Sequence, residues 1–194
     1  MLKVAITGNI GTGKTTVARI FESLGVPIFY SDFQAKLLYK DEKIKRIITT
    51  QFGENILNGS GEIDFGLLSK MIFSDSKNLE IINNIIHPLV FERFDKWAGL
   101  HSTAKYVILE SAIIFESPVE YLFDKIITVC STYEICEERT VNRDKISKDE
   151  FESKYKSQLN QNFKIDHSDF IINNDGRSSL IEQVTEIHSK LYLV

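Results

Sequence analysis

Cysteine is nearly absent. Its two representatives, Cys130 and Cys136, are too few and wrongly spaced for a zinc site or a disulfide framework. Two free thiols suit a reducing cytosol, so a cytoplasmic setting is expected. An excess of positive charge is also missing: 23 Lys and Arg stand against 27 Asp and Glu, for a net charge of −4. That argues against a general nucleic-acid binder, and any pocket for phosphates must gather its positive charge locally. No apolar run is long enough to span a bilayer, and Met1 leads directly into the first strand without a signal peptide, so no membrane partner is expected. There is no repeat and no low-complexity tract. What remains is 194 residues, 43% hydrophobic and 26% charged, enough for one compact α/β domain, or one with inserted subdomains, with a real core.

The informative stretch is Gly8-Asn9-Ile10-Gly11-Thr12-Gly13-Lys14-Thr15, a complete G-x-x-x-x-G-K-[ST] phosphate loop. Before it lies the apolar run Leu2 to Ile6; after it Val17, Ile20, Phe21 and Leu24 recur at helical spacing, with Gly25 as the stop. Strand, glycine loop and amphipathic helix in that order are the context the motif needs. The glycines allow a tight turn whose N–H groups point inward as an anion nest, and the helix adds its unpaired amides and positive dipole end. Lys14 brings a mobile charge to the β/γ-phosphates, and the Thr15 hydroxyl is placed to ligate Mg²⁺. A glycine-rich turn that merely caps a helix is the plainer alternative, and the surrounding pattern disfavours it.

Further along, Val26 to Tyr30 reads as a short strand, followed by Ser31-Asp32 at the start of a helix. Asp32 is either an N-cap, worth about 1 kcal/mol, or a carboxylate facing ligand, since ligands of open α/β sheets collect beyond the carboxyl ends of strands. Spacing leaves the two readings level. Residues 41–99 read as helices, with Asp64 as a cap and a break at His87-Pro88, and this stretch exceeds a normal crossover. An inserted substrate-binding subdomain is the simplest explanation. His87 alone is a helix-junction residue or a catalyst. Tyr106 to Glu110 is a buried-type strand ending in an acid, as a Walker B-like strand does; a surface loop acid is the alternative. Ile126 to Val129 and Phe170 to Asn173 are further strands, and Ser131, Ser147 and Ser179 each precede a Glu by three residues, as in capping boxes. Arg139 and Arg143 are four apart, hence on one helical face, either solvated or leading a mobile lid.

Taken together, the chain resembles the dephospho-coenzyme A kinase family from end to end. Thr7-Gly8-Asn9-Ile10-Gly11-Thr12-Gly13-Lys14-Thr15-Thr16-Val17-Ala18 matches the opening T-G-G-I-G-S-G-K-S-T-V-A. Asp32 with Ala35 and Lys36 sits where the family has D-x-D-x-x-A-R, and His87-Pro88 matches its His-Pro. Glu110 through Glu116 matches D-x-P-L-L-F-E; Arg139-Thr140 with Arg143-Asp144 matches the lid start; Asp169 to Gly176 resembles the closing A-D-x-V-I-x-N-x-G. Three departures stand out. Tyr30 replaces the first acid of D-x-D, Ser111-Ala112 replaces the proline-containing segment, and the lid's Q-x-x-x-E-x-R becomes Gln158, Asn162 and Lys164. The last exchanges an arginine for a lysine that cannot grip phosphate bidentately, which bears on lid affinity for ATP.

The resemblance implies ATP-dependent phosphorylation of the 3′-hydroxyl of the dephospho-CoA ribose, giving CoA and ADP. It implies a P-loop kinase fold: a five-stranded parallel sheet flanked by helices, with core 1–31, 100–140 and 168–194, a helical insert about 32–99 and a lid about 141–167. It places ATP on Gly8, Gly11, Thr12, Gly13, Lys14, Thr15, Thr16 and Arg139, and dephospho-CoA on Asp32 and His87. Lys14, Asp32, Arg139 and Arg143 carry the chemistry, with Mg²⁺ on Thr15 and, through water, on Glu110. The partners are then these two small molecules, and the chain a monomer or weak homo-oligomer. Other readings are a kinase for another small metabolite or nucleotide, a GTPase switch, or a non-catalytic nucleotide-binding module. No N-K-x-D guanine motif occurs, which weakens the GTPase, and the acid at Asp32 speaks against a module without catalysis.

Overall fold

Three apolar segments, LKVAIT, YVILE and KIITVC, form the middle of a parallel sheet, as expected of strands covered on both faces. The computed structural model describes residues 1–117 and 119–193, without the side chains of Phe73, Ser74 and Ser76. Strands β1 (Leu2–Thr7), β2 (Ile28–Tyr30), β3 (Tyr106–Glu110), β4 (Lys125–Cys130) and β5 (Phe170–Asn173) lie in the order β2-β3-β1-β4-β5. The register pairs Ile6 with Glu110 and Thr7 with Thr128, so β1 and β3 end nearly together and β4 runs on to Cys130. The chain leaves β1 toward β2 and β3 on one side and then crosses to β4 on the other. The carboxyl end of β1 is therefore the point where strand order reverses, where such sheets bind ligands.

The chain divides into two units, Met1–Tyr30 with Ala98–Val194, and Ser31–Trp97. In the first, helices α1 (Lys14–Ser23) and α9 (Leu180–Tyr192) cover one face of the sheet. Val17, Ala18 and Phe21 of α1 pack with Val184, Ile187 and Leu191 of α9 over Ile6, Ile108 and Ile127. Phe21 meets Tyr106 edge to face at 6.5 Å. Leu24, expected on the buried face, is 41% exposed, because α1 closes at that residue and Gly25 turns the chain away. Both cysteines are free and buried, and burial pushes the Cys136 thiol up to about 11, so neither is a ready nucleophile.

The second unit is helical: α2 (Ser31–Leu38), α3 (Glu42–Phe52), α4 (Phe65–Ser74) and most of α5 (Ser76–Leu100). Asp41 and Asp64 cap α3 and α4 by accepting backbone N–H bonds. The expected break at His87-Pro88 is absent, and α5 runs on through Pro88. An interior proline costs about 3 kcal/mol, and here packing offsets it. Ile82, Ile86, Val90, Phe91 and Phe94, on both sides of the proline, are all at most 7% exposed. Breaking the helix would pull one set out of register with the other. Among the described residues, no helix is long and apolar enough to cross a membrane.

Helices α6 (Tyr133–Asp144), α7 (Lys148–Lys156) and α8 (Gln161–Asp166) complete the first unit. Ser147 and Glu150 form the expected capping box. Ser131 does not cap α6; Thr132 takes that role, and Ser131 donates to the Asn174 carbonyl instead. Because Pro88 is exposed and sits inside an intact helix, Pro88→Ala restores one backbone donor while losing little contact. We expect it to raise stability by about 1–2 kcal/mol, read as a higher urea midpoint with an unchanged m-value; a lower midpoint would show that the proline ring is itself packed.

Candidate active site

Helix α1 begins without a side-chain cap. Its N-cap is Gly13, left-handed at φ 89°, whereas Asp41, Asp64, Thr132, Ser147, Asn160 and Ser179 cap α3, α4, α6, α7, α8 and α9 through their side chains. The first-turn amides of α1 therefore receive no cap side chain, which is the arrangement of an anion site. The turn before it folds on the Asn9 carbonyl, which accepts from the Thr12 hydroxyl at 2.8 Å, the Thr12 N–H at 3.3 Å and Lys14 Nζ at 3.1 Å. Lys14 is thereby curled over the loop. Thr15 and Thr16 are exposed in the first turn of α1. Three buried polar atoms around the loop, Thr7 Oγ1, Asn9 Oδ1 and Thr140 Oγ1, have no partner among the described residues. Buried groups of that kind fit a polar ligand or its waters.

Two glycines answer to neighbours as well as to φ. A Cβ on Gly11 (φ 83°) would drive into the Cys136 carbonyl oxygen of α6, and one on Gly13 into the Asn174 carboxamide. Asn174, 9% exposed just past β5, ties these elements together. Its Nδ2 donates to the Thr12 carbonyl at 2.8 Å, and its own carbonyl accepts from Arg139 Nη1 at 3.0 Å. Arg139 is thus brought to the phosphate loop. Arg143, one turn on, is exposed and paired twice with Asp144, at 2.7 and 2.8 Å, and this bond holds the Asp144 carboxyl below the usual range. The two arginines thus differ in their hydrogen-bond partners, Asn174 for Arg139 and Asp144 for Arg143.

Glu110 ends β3 opposite Ile6 and is only 7% exposed, so it is no surface loop acid. Tyr30 donates its hydroxyl to Glu22 at 3.1 Å; burial first, then this bond, push its phenol up to about 12. Asp32 and His87 belong to the helical unit. Asp32 is exposed in the first turn of α2, which already begins at Ser31, and nothing donates to its carboxylate among the described residues. Its reading as an N-cap is therefore not met. His87 is half-buried in the middle of α5.

Lys164 departs furthest from expectation. It is fully buried on α8, 2.7 Å from Glu116 and donating to the Ala112 carbonyl at 2.8 Å. Burial pulls its pKa below the ordinary lysine value, against the opposing pull of Glu116. It acts as an internal brace. Gln158 does reach the loop, accepting from the Ile10 N–H at 2.8 Å. Asn174 falls on the Asn of the closing motif quoted above but is given no role there, and Asn9 stands at a filler position of the phosphate-loop motif.

The sequence comparisons with known proteins agree on one family. The family model for dephospho-CoA kinase matches residues 2–179. The chain is 34% identical over 192 residues to a dephospho-CoA kinase of Bacteroides fragilis, covering 98% of this chain and 93% of that one. Among solved structures it is similar to TT1252 of Thermus thermophilus, with a TM-score of 0.85, 25% identity, and 97% and 96% of the two chains covered. It also shares its fold with a dephospho-CoA kinase from Campylobacter jejuni, with a TM-score of 0.70, 23% identity, and 98% and 97% covered.

The two arginines should separate experimentally. Arg143→Ala removes an exposed pair and should cost less than about 1 kcal/mol. Arg139→Ala removes a charged donor to a buried carbonyl and should cost about 1–3 kcal/mol. Chemical denaturation of both variants checks this; equal losses would mean that the Asn174 contact contributes nothing.

Proposed function

Since the chain belongs to the dephospho-CoA kinase family, and so catalyses ATP-dependent phosphorylation of dephospho-CoA in coenzyme A biosynthesis, we propose how its own residues carry that transfer. The γ-phosphoryl group goes to the 3′-hydroxyl of the acceptor ribose. The observation that supports this best is the uncapped start of α1 with Lys14 folded over the loop. Triphosphate settles on the amides from Gly11 to Thr16, and Lys14 exchanges the Asn9 carbonyl for a phosphate oxygen. Charge that builds on the β/γ-phosphates in the transition state meets donors already in place.

The Thr15 hydroxyl and the buried Glu110 carboxylate offer only oxygen, the donor a hard cation such as Mg²⁺ prefers, with Glu110 acting through water. When bound, the ion neutralises phosphate charge and orients the oxygens. Arg139, held at the loop by Asn174, adds a second cation next to the phosphates. Arg143 joins it when its pairing with Asp144 opens as the segment of about 141–167 closes as a lid and excludes water. In the helical unit, Asp32 has a carboxylate free of structural bonds, the state required to accept or orient the ribose hydroxyl's proton. His87 and its neighbouring helices hold dephospho-CoA.

A coupled assay of the purified protein with ATP, Mg²⁺ and dephospho-CoA, run against other hydroxyl acceptors, tests the reading as a whole. In Lys14→Ala the melting temperature should hold while transition-state stabilisation falls by about 3 kcal/mol or more; normal turnover would remove Lys14 from the mechanism. For Asp32→Asn, single-turnover CoA formation should slow by about 10²–10⁴. Orientation dominates in a largely dissociative transfer, so the lower end is expected. ATP affinity should stay unchanged, and an unaltered rate would sink the role of Asp32.

A further inference from the structure

Between α7 and α8 the chain passes through Ser157 to Asn160, and Leu159 there is fixed at both of its backbone groups. Its N–H donates to Glu116 Oε1 at 3.0 Å, and its carbonyl accepts from Asn9 Nδ2 at 3.1 Å. Beside it, Gln158 Oε1 takes the N–H of Ile10 at 2.8 Å. Glu116 Oε1 is itself held by the fully buried Lys164 at 2.7 Å, and Lys164 also bonds the Ala112 carbonyl just beyond β3. A continuous polar line thus runs from the loop after β3, through a buried ion pair and one peptide, to the first turn of the phosphate loop. Asn9 is 1% exposed and is the joint. Its side chain holds Leu159, while its carbonyl holds Thr12 and Lys14. The family opening has glycine at this position, which has no side chain to make the contact. Leu159 itself is 38% exposed, and the contacts that fix its backbone are polar.

We propose that Asn9 is a positioning residue through which the 158–160 link, braced by Glu116 and Lys164, holds the phosphate loop in its ATP-ready shape. ATP affinity is then set in part by residues outside the loop. A loop already ordered loses less conformational freedom on binding, so the contact acts on affinity for ATP and not on the chemical step. This rests on the reading of the loop as the ATP site.

Asn9→Ala deletes the joint without adding backbone freedom, since the left-handed region is not used at this position. A double variant, Glu116→Leu with Lys164→Met, removes both buried charges together and so avoids leaving one unpaired. Both should raise KM for ATP about two- to tenfold, the share of a single hydrogen bond. Neither should move kcat or KM for dephospho-CoA by more than about twofold. Amide exchange at 157–161 should quicken in the free variants, with α9 unchanged, and slow again when ADP is added. An unaltered KM for ATP with unaltered exchange overturns the proposal. So does a parallel fall in kcat and melting temperature, which marks mere packing. If the wild-type protein fails to bind ATP, the reading of the loop falls and takes this inference with it. If the wild type binds ATP and Asn9→Ala matches it, only the inference falls.

Discussion

An uncapped helix N-terminus inside a protein is normally a defect, and the neighbourhood of the phosphate loop is arranged around keeping one. Among the described residues, α3, α4, α6, α7, α8 and α9 satisfy first-turn amides with an Asp, Ser, Thr or Asn side chain; α1 has Gly13 there. Several neighbouring main-chain groups are satisfied from elsewhere: the Thr12 carbonyl by Asn174, the Ile10 amide by Gln158, the Asn9 carbonyl by Thr12 and Lys14. The unmet hydrogen-bonding capacity is concentrated where an anion can use it. Strand order reverses at the same point, so the sheet and the helix terminus define one location.

Much of this was legible in the sequence because it is local. Strands covered on both faces read as unbroken apolar runs, and the loop motif is contiguous. Ser147 with Glu150 forms its box within a single turn. The parts that were misread depend on partners distant in the chain. Nothing near Pro88 reveals that buried residues up to Phe94 hold the helix straight through it. Ser131 matched the cap pattern, yet the Asn174 carbonyl, 43 residues away, claims its hydroxyl. Arg139 and Arg143 are equivalent by spacing and differ only because β5 ends beside one of them.

Lys164 makes the same point in energetic terms. Its position in the lid pattern suggests a lysine that grips phosphate less firmly than an arginine. Instead it is an ammonium group removed from water, tolerated because Glu116 and the Ala112 carbonyl take two of its three donors. Glu116 Oε2 is left buried with no partner among the described residues. An arginine's planar fork could serve both carboxylate oxygens where the lysine serves one. The exchange therefore bears on internal bracing.

The two glycines pressed against their surroundings differ in what opposes them. Gly13 faces a side chain, the Asn174 carboxamide, so a shorter residue at 174 would clear that space and leave only the backbone strain at φ 89°. Gly11 faces the main-chain oxygen of Cys136, an atom that every amino acid supplies. No exchange at position 136 can make room for a larger residue at position 11. An evolving or engineered version of this chain could trade residues 13 and 174 as a pair, but it could free position 11 only by moving helix α6 as a body.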